Sequence, residues 1–203
     1  MSLPYHHGDL KAALIARARQ HISEKGFGSF SLREISREAC VSHAAAYRHF
    51  PDKDVLLAQV AEQGFLELAL SCEVAASLHA GDPVARLGAC GLAYVTFGQR
   101  NPRLMHLMFT SLTSSSFGRS SASLKAASAA SFGILNQVIA DGQAQGKIRG
   151  QDSRSVALSC WAMVHGLAIL LALEDASPAW PQMTAEQSIE HLIEGLMVAS
   201  EPI

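Results

Sequence analysis

The sequence of 203 residues has little net charge and few charged residues. Sixteen Lys and Arg stand against 18 Asp and Glu, so the formal net charge is −2, and charged residues make up 17% of the chain. This balance excludes a protein that coats nucleic acid by bulk positive charge. The hydrophobic share of 49% excludes wholesale disorder, which requires low hydrophobicity and high net charge. The chain is long enough to bury a substantial core in one or two domains.

Paired cysteines and catalytic motifs are also missing. The four cysteines, at positions 40, 72, 90 and 160, form no CxxC pair and have no zinc-site spacing. We therefore expect free thiols in a reducing cytoplasm, and no metal. The sequence lacks GxSxG, HExxH, a Walker loop and a GxGxxG that follows a strand, so we expect neither an enzyme nor a cofactor. Residues 1–11 contain no apolar segment, so we expect no signal peptide.

One uncharged segment resembles a membrane span. Residues 156–173 contain no Asp, Glu, Lys or Arg, but their length is at the short limit for crossing a bilayer. The segment contains Ser159 and His165 and stands alone. We interpret it as a helix that is buried on most sides in a soluble helical core, and we expect no membrane association.

Apolar residues recur at helical spacing along nearly the whole chain, and no two-residue alternation competes with them. This pattern predicts an all-α fold. Glycine, proline and asparagine separate the segments. The predicted helices lie near residues 9–25, 32–39, 43–49, 52–79, 83–99, 102–110, 121–145, 153–174 and 184–199.

Residues 31–50, with the sequence SLREISREACVSHAAAYRHF, predict a helix-turn-helix. Ser31 and Glu34 have the spacing of a capping box, and Ser42 can cap the second helix. Three alanines at 44–46 would let the backbone of that helix approach base edges in a major groove. The same pattern also fits a purely structural corner between two helices, so spacing alone leaves both interpretations open.

Residues 5–57 resemble the DNA-binding domain of the TetR (tetracycline-repressor-like) family of transcriptional regulators. The matching segments are YHHGDLKAALIARA at 5–18, SLREISREACVSHAAAYRHF at 31–50 and PDKDVLL at 51–57. The remainder is similar to a branch with a Trp-x-x-x-His-Gly motif, here Trp161, His165 and Gly166. Two departures stand out: Cys40 occupies a position that is usually Gly, and Ala46 is smaller than the usual residue.

The resemblance implies an N-terminal three-helix helix-turn-helix domain, residues 1–52, and a C-terminal helical bundle that binds ligand and dimerises, residues 53–203. It implies a double-stranded DNA operator as partner. Ser31, Tyr47, His49 and Lys53 would contact phosphates. The set facing the groove would be Ser42, His43, Ala44, Ala45 and Arg48. Dimerisation would use the helices near 153–174 and 184–199.

The resemblance also implies a pocket for a small apolar effector in the C-terminal domain. Its candidate residues are Phe97, Met105, His106, Phe109, Phe132, Trp161 and His165, although such residues at helical spacing more often belong to a core. The resulting hypothesis is a ligand-responsive regulator, a repressor that binds a palindromic operator as a dimer. The alternatives are a helical ligand- or partner-binding module without DNA function, and a helical enzyme that uses the C-terminal cavity.

Overall fold

The computed structural model describes residues 10–28, 30–113, 122–150, 152–172 and 183–197. Over these ranges it confirms the all-α fold class. Each helix end lies within three residues of its predicted position. The helices are α1 Leu10–Lys25, α2 Leu32–Glu38, α3 His43–His49, α4 Lys53–Ser77, α5 Pro83–Arg100, α6 Pro102–Thr113, α7 Ala122–Ala144, α8 Ser153–Leu171 and α9 Ala185–Leu196.

The chain forms two compact units. The first contains residues 1–65 and 103–127, and the second contains residues 66–102 and 128–203. The single helix α4 therefore contributes its first half to one unit and its second half to the other. The predicted boundary between residues 52 and 53 separates a DNA-binding domain from a ligand-binding and dimerisation domain, whereas the two units are defined by compactness. The predicted boundary therefore stays a prediction.

A small three-helix core organises the amino-terminal part of the first unit. Leu14 and Ala18 on α1, Ile35 on α2 and Phe50 after α3 are fully buried. Since these apolar side chains recur on one face of each short helix, their burial holds together elements that would be unstable alone. The carboxylate of Asp52 accepts a hydrogen bond from the Val55 N–H at 2.9 Å, so α4 begins directly after this core.

Helix α6 also belongs to the first unit and is fixed there at both sides. A Cβ placed on Gly64 of α4 would lie 2.7 Å from the Met108 sulfur, so only glycine permits this close approach. The guanidinium of Arg103 donates to the Ser23 and Glu24 carbonyls at the end of α1, the latter at 2.7 Å. These carbonyls lie in the last turn of α1, where a cation is favourable.

Helix α5 is the centre of the second unit. A Cβ on Gly88 would lie 3.1 Å from the Ile193 Cδ1, and one on Gly91 would lie 3.5 Å from Ile189. Gly88 therefore lets the Ile193 side chain of α9 pack closely on α5, whereas Ile189 packs at Gly91 at a distance that a Cβ would also allow. Much of the apolar stripe of α9 faces α5 within the same protomer.

The structure corrects the interpretation of residues 156–173 as a helix that is buried on most sides. Ala157 and Ala168 face the interior, but Leu158, Met163 and Ile169 are about half exposed. Helix α8 thus has one buried face and one exposed apolar face. By length and composition alone, α4 and α8 could cross a membrane; 56% of the apolar window of α4 and 22% of that of α8 are buried.

Candidate nucleic-acid interface

A tight turn at residues 39–42 joins α2 to α3. Cys40 has a φ of +56° and is exposed, which is the left-handed conformation that non-glycine residues rarely adopt. Its N–H donates to the Arg37 carbonyl at 3.1 Å, and the Val41 N–H donates to the Ser36 carbonyl at 3.0 Å. These two bonds form a Schellman motif that satisfies the last carbonyls of α2.

Serine side chains cap both helices of the motif, as predicted. The Ser42 Oγ accepts from the Ala45 N–H at 3.2 Å, and the Ser31 Oγ accepts from the Glu34 N–H at 3.1 Å. The predicted capping box at α2 is only half formed among the described hydrogen bonds, because the Glu34 carboxylate lies 3.4 Å from the Lys25 ammonium. The first turn of each helix is thereby fixed, with both serine hydroxyl groups exposed.

Helix α3 presents one face to solvent and the other to the core. Ala46 and Phe50 are completely buried, so the rotation of the helix about its axis is fixed. Ala45 is half-buried. The residues predicted to face outward are all exposed: Ser42, His43, Ala44, Tyr47, Arg48 and His49.

Two of the exposed side chains on α3 support each other. The rings of His43 and Tyr47, one turn apart, have centroids 4.4 Å apart and an interplanar angle of 56°. The ring of Tyr47 therefore supports the ring of His43. This contact is separate from the phosphate contact that is predicted for the Tyr47 hydroxyl. Their spacing places both residues on one helix face, but the sequence did not reveal the ring contact.

The exposed polar groups around α3 form a ring of candidate phosphate contacts. Ser31, His49 and Lys53 are exposed at helix ends. The Ser31 oxygen accepts the capping bond, so its O–H hydrogen is still available to donate. Sequence reasoning missed Arg33, which is exposed in the first turn of α2. Its position two residues after the cap Ser31 is the signal that could have identified it.

An ion-pair cluster holds α2 against α1 behind this surface. Glu38 lies 3.3 Å from both Arg17 and Lys25, and 3.2 Å from the Nδ1 of the buried His21. Burial raises the pKa of the Glu38 carboxyl, but hydrogen bonds from His21 and Lys25 outweigh it and lower the pKa overall. His21, Glu34 and Glu38 converge closely enough for a metal ion, but the two carboxylates are already paired with two cations, Lys25 and Arg17.

The predicted effector residues are divided between the two units. Met105, His106 and Phe109 lie on α6 in the first unit. Met105 is buried, the ring centroids of His106 and Phe27 are 5.1 Å apart, and those of Phe109 and Phe65 are 5.4 Å apart. These three side chains contribute to the packing of α6, and their role in effector binding stays a prediction.

Phe132, Trp161 and His165 come together in the second unit around Tyr94. The Trp161 N–H donates to the Tyr94 hydroxyl at 3.1 Å, which lies 2.8 Å from the His165 Nδ1. The ring centroids of Phe132 and Trp161 are 6.3 Å apart. Burial lowers the pKa of His165, which favours the neutral imidazole, and in that form Nδ1 can accept a hydrogen bond from the Tyr94 O–H. We find here a hydrogen-bonded core cluster, and an effector role for it stays a prediction.

Phe97 lines a different feature, a groove of about 570 Å³ between the second half of α4 and α5. We call it the α4–α5 groove. Its lining residues are Glu67, Leu70, Ser71, Ala75, Leu78, His79, Ala89, Leu92, Ala93, Thr96, Phe97, Arg100 and Asn101. Its volume falls within the usual range for small-molecule sites.

Family models match both parts of the chain. A model described as "Bacterial regulatory proteins, tetR family" matches residues 14–60, and one described as "Tetracyclin repressor-like, C-terminal domain" matches residues 87–196.

Solved structures are similar over nearly the full length. A protein of unknown function from Rhodococcus sp. RHA1 is 32% identical, with a TM-score of 0.82 over 96% of this chain and 99% of that chain. A bacterial regulatory protein in the tetR family from Rhodococcus RHA1 is 22% identical, with a TM-score of 0.69 over 94% and 98%. The TetR family transcriptional regulator PfmR from Thermus thermophilus is 19% identical, with a TM-score of 0.65 over 89% and 94%.

The capped helix-turn-helix on a helical body defines a DNA-binding transcriptional regulator. Because the two family models together match residues 14–60 and 87–196, which is more than half of the sequence, the chain belongs to the TetR family. The assignment to the Trp-x-x-x-His-Gly branch stays a prediction.

The left-handed turn residue gives a stability prediction. Cys40→Gly removes the clash of Cβ at φ +56°, and we expect it to raise the free energy of unfolding by about 0.5–1 kcal/mol. The matched control is Ala39→Gly, one residue earlier at φ −84°, where added backbone freedom should lower stability. Urea denaturation of both variants measures the difference; a Cys40→Gly variant that is destabilised as much as Ala39→Gly contradicts the strained turn.

Proposed function

We propose that the protein is a dimeric, ligand-responsive repressor that binds a palindromic operator and is released by a small apolar effector. The observation that carries this proposal is the orientation of α3. Buried Ala46 and Phe50 fix the helix so that His43, Ala44 and Arg48 face solvent together. An exposed helix with methyl groups and donors on one face suits a major groove.

The interface divides into two kinds of contact. Ser42, His43, Ala44, Ala45 and Arg48 would read base edges. Ser31, Tyr47, His49 and Lys53, joined by Arg33, would hold phosphates, which fix register and carry no sequence information. Because the alanines offer no hydrogen bonds, part of the specificity would come from thymine methyl contacts and DNA shape.

The exposed face of α8 is the proposed dimer interface. It combines Leu158, Met163 and Ile169, each about half exposed, with the small exposed residues Ser159 and Ala162. Apolar side chains beside small ones let two helices approach closely and bury apolar surface. Helix α9 would add its outer residues, since its apolar Ile189 already packs on α5.

The effector would act by shifting a population between two arrangements of the dimer. One arrangement sets the recognition helices about 34–36 Å apart, one turn of B-DNA. An effector that prefers the other arrangement weakens operator binding, and the operator weakens effector binding equally, typically by about 1–3 kcal/mol. This regulator would act in the cytoplasm, without a membrane partner or a cofactor.

Selection from random DNA tests the proposal directly. The purified chain should enrich a palindrome, and gel-shift titration at two salt concentrations should show specific, salt-dependent retardation. Absence of retardation would favour a helical ligand- or partner-binding module without DNA function, and retardation that does not depend on sequence would contradict a specific operator.

Tyr47→Phe separates the hydroxyl from the ring that supports His43. We expect the variant to lose about 1 kcal/mol per protomer, hence about 30-fold in dimer affinity, on all DNA sequences alike. Fluorescence anisotropy with the selected palindrome and with scrambled DNA measures both losses. Unchanged affinity, or a loss confined to the palindrome, contradicts a phosphate contact.

His43→Ala should act on sequence preference instead. Removal of the ring is expected to relax discrimination at one or two positions of each half-site, by about 1–3 kcal/mol at most. A repeated selection from random DNA measures this change. Recovery of the wild-type motif would exclude His43 from base reading.

Ala162→Arg places a long charged side chain in the proposed dimer interface. We expect the variant to remain folded but to become monomeric at micromolar concentration and to lose tight operator binding, because one half-site per chain is too little. The control is Ala130→Arg, an exposed alanine on α7. Analytical ultracentrifugation measures the mass, and a dimer for both variants places the interface elsewhere.

A further inference from the structure

The second half of α4 exposes a continuous apolar stripe. Leu66, Leu70, Val74 and Leu78 recur at every fourth position and are 51%, 59%, 53% and 76% exposed. A contiguous exposed apolar surface of this kind marks a contact site more often than chance placement does. Leu70 and Leu78 also line the α4–α5 groove, where Ala89, Leu92 and Ala93 of α5 extend the apolar lining.

The lining also includes polar residues from the carboxyl end of α5. Arg100 and Asn101 line the groove, and the described hydrogen bonds and ion pairs assign no partner to the Arg100 guanidinium. The Asn101 amide nitrogen donates to the Phe97 carbonyl at 3.0 Å, which fixes this side chain. Arg100 is therefore a cation that is available to a ligand at one end of a groove whose lining also contains the leucines of α4 and α5.

The charges of the lining restrict the kind of anion. Glu67 lines the groove together with Arg100, so the lining has no net formal charge with His79 neutral, and overall charge alone does not retain a small inorganic anion. A ligand must add apolar contact to its bond with Arg100. A carboxylate suits this site, because the planar guanidinium binds it through two parallel hydrogen bonds.

We propose that the α4–α5 groove binds a linear amphipathic carboxylate, with its apolar chain along Leu70, Leu78 and Leu92 and its carboxylate at Arg100. The groove would then be the place where the effector binds, and the effector would be a carboxylate of this class. This regulatory role rests on the proposed function. The volume of about 570 Å³ accommodates such a molecule.

Along the chain, one helix of the groove directly follows the recognition helix, and the other precedes a helix that contacts α1. Helix α4 begins at Lys53, four residues after α3 ends, and α5 ends at Arg100, two residues before α6 begins. Arg103 of α6 then caps the end of α1. A ligand that changes the packing of α4 on α5 thus acts on helices that continue into the first unit.

A pair of buried thiols holds the two helices together beside this site. The Cys90 Sγ lies 3.5 Å from the Cys72 carbonyl, and the Cys72 Sγ lies 3.7 Å from the Cys90 carbonyl. Burial raises the pKa of Cys72 to about 12 and that of Cys90 to about 11. Both thiols therefore stay protonated and can act as weak hydrogen-bond donors between the two helices that frame the groove. Both cysteines are free.

Isothermal titration of the full chain with decanoate tests the site, with decan-1-ol as a probe of equal chain length without charge. We expect saturable binding of one decanoate per protomer, about tenfold tighter than decanol. Arg100→Gln should abolish that advantage and leave decanol binding unchanged. Leu70→Gln should weaken both probes about equally. Absence of saturable decanoate binding, or equal affinity for both probes in the wild type, overturns the proposal.

Matched variants separate the groove from general surface effects. Leu66→Gln changes an equally exposed leucine of the same stripe that does not line the groove, and Arg149→Gln changes an exposed arginine elsewhere. Both should bind decanoate like the wild type, and circular dichroism should show all four variants folded. A loss in Leu66→Gln as large as that in Leu70→Gln overturns the assignment to the groove.

Operator titrations distinguish failure of this inference from failure of the proposed function. Specific DNA binding by the protein without decanoate tests the regulator, whereas calorimetry tests the groove without DNA. If both hold, decanoate should lower operator affinity at least about fivefold in the wild type and not in Leu70→Gln. Decanoate binding that leaves operator affinity unchanged overturns the effector assignment.

Discussion

The left-handed backbone at Cys40 is the local constraint on which the DNA-binding surface depends. Its φ of +56° lets the Val41 N–H reach back to the Ser36 carbonyl, and this closure sets the direction in which α3 leaves α2. Burial of Ala46 and Phe50 then fixes the rotation of α3. A family of proteins that usually has Gly here avoids the strain, whereas this chain tolerates it because the surrounding core determines the turn.

Close approach at one glycine plays the corresponding part in the second unit. Gly88 lets Ile193 of α9 lie against α5, next to Ile189, and this contact uses part of the apolar stripe of α9 within the chain. The apolar surface that is left exposed then lies on α8. Small residues on α5 thus bring α9 into the packing of the unit, and the apolar face of α8 is left as the surface that we propose for dimerisation.

Helix positions, caps and the exposed face of α3 could be predicted from the sequence because each depends on local spacing. The buried face of α3 follows from the apolar period, and Ser42 is recognisable as a cap without any tertiary information. Spacing shows which face of a helix is apolar, but not what covers it. For that reason the sequence predicts that α8 is buried on most sides, whereas one of its apolar faces is exposed. For the same reason it groups Met105 and His106 with Trp161, although they pack in the first unit and Trp161 in the second. The His43–Tyr47 contact and the groove arise only from side-chain conformation and helix pairing.

In the proposed regulator, the single helix α4 would contribute both to the stability of the fold and to the response to the effector. Its amino-terminal half buries Leu56, Leu57 and Val60 in the first unit, while Leu70 and Leu78 stay exposed in the second. Covering those leucines with protein would have stabilised the fold, since each buried leucine contributes about 1.5–3 kcal/mol. Because they are exposed, a ligand that binds in the groove would gain the free energy of burying them. An effector that covers them would stabilise one packing of α4 on α5 over the other, and this differential contact is the physical requirement for a population shift.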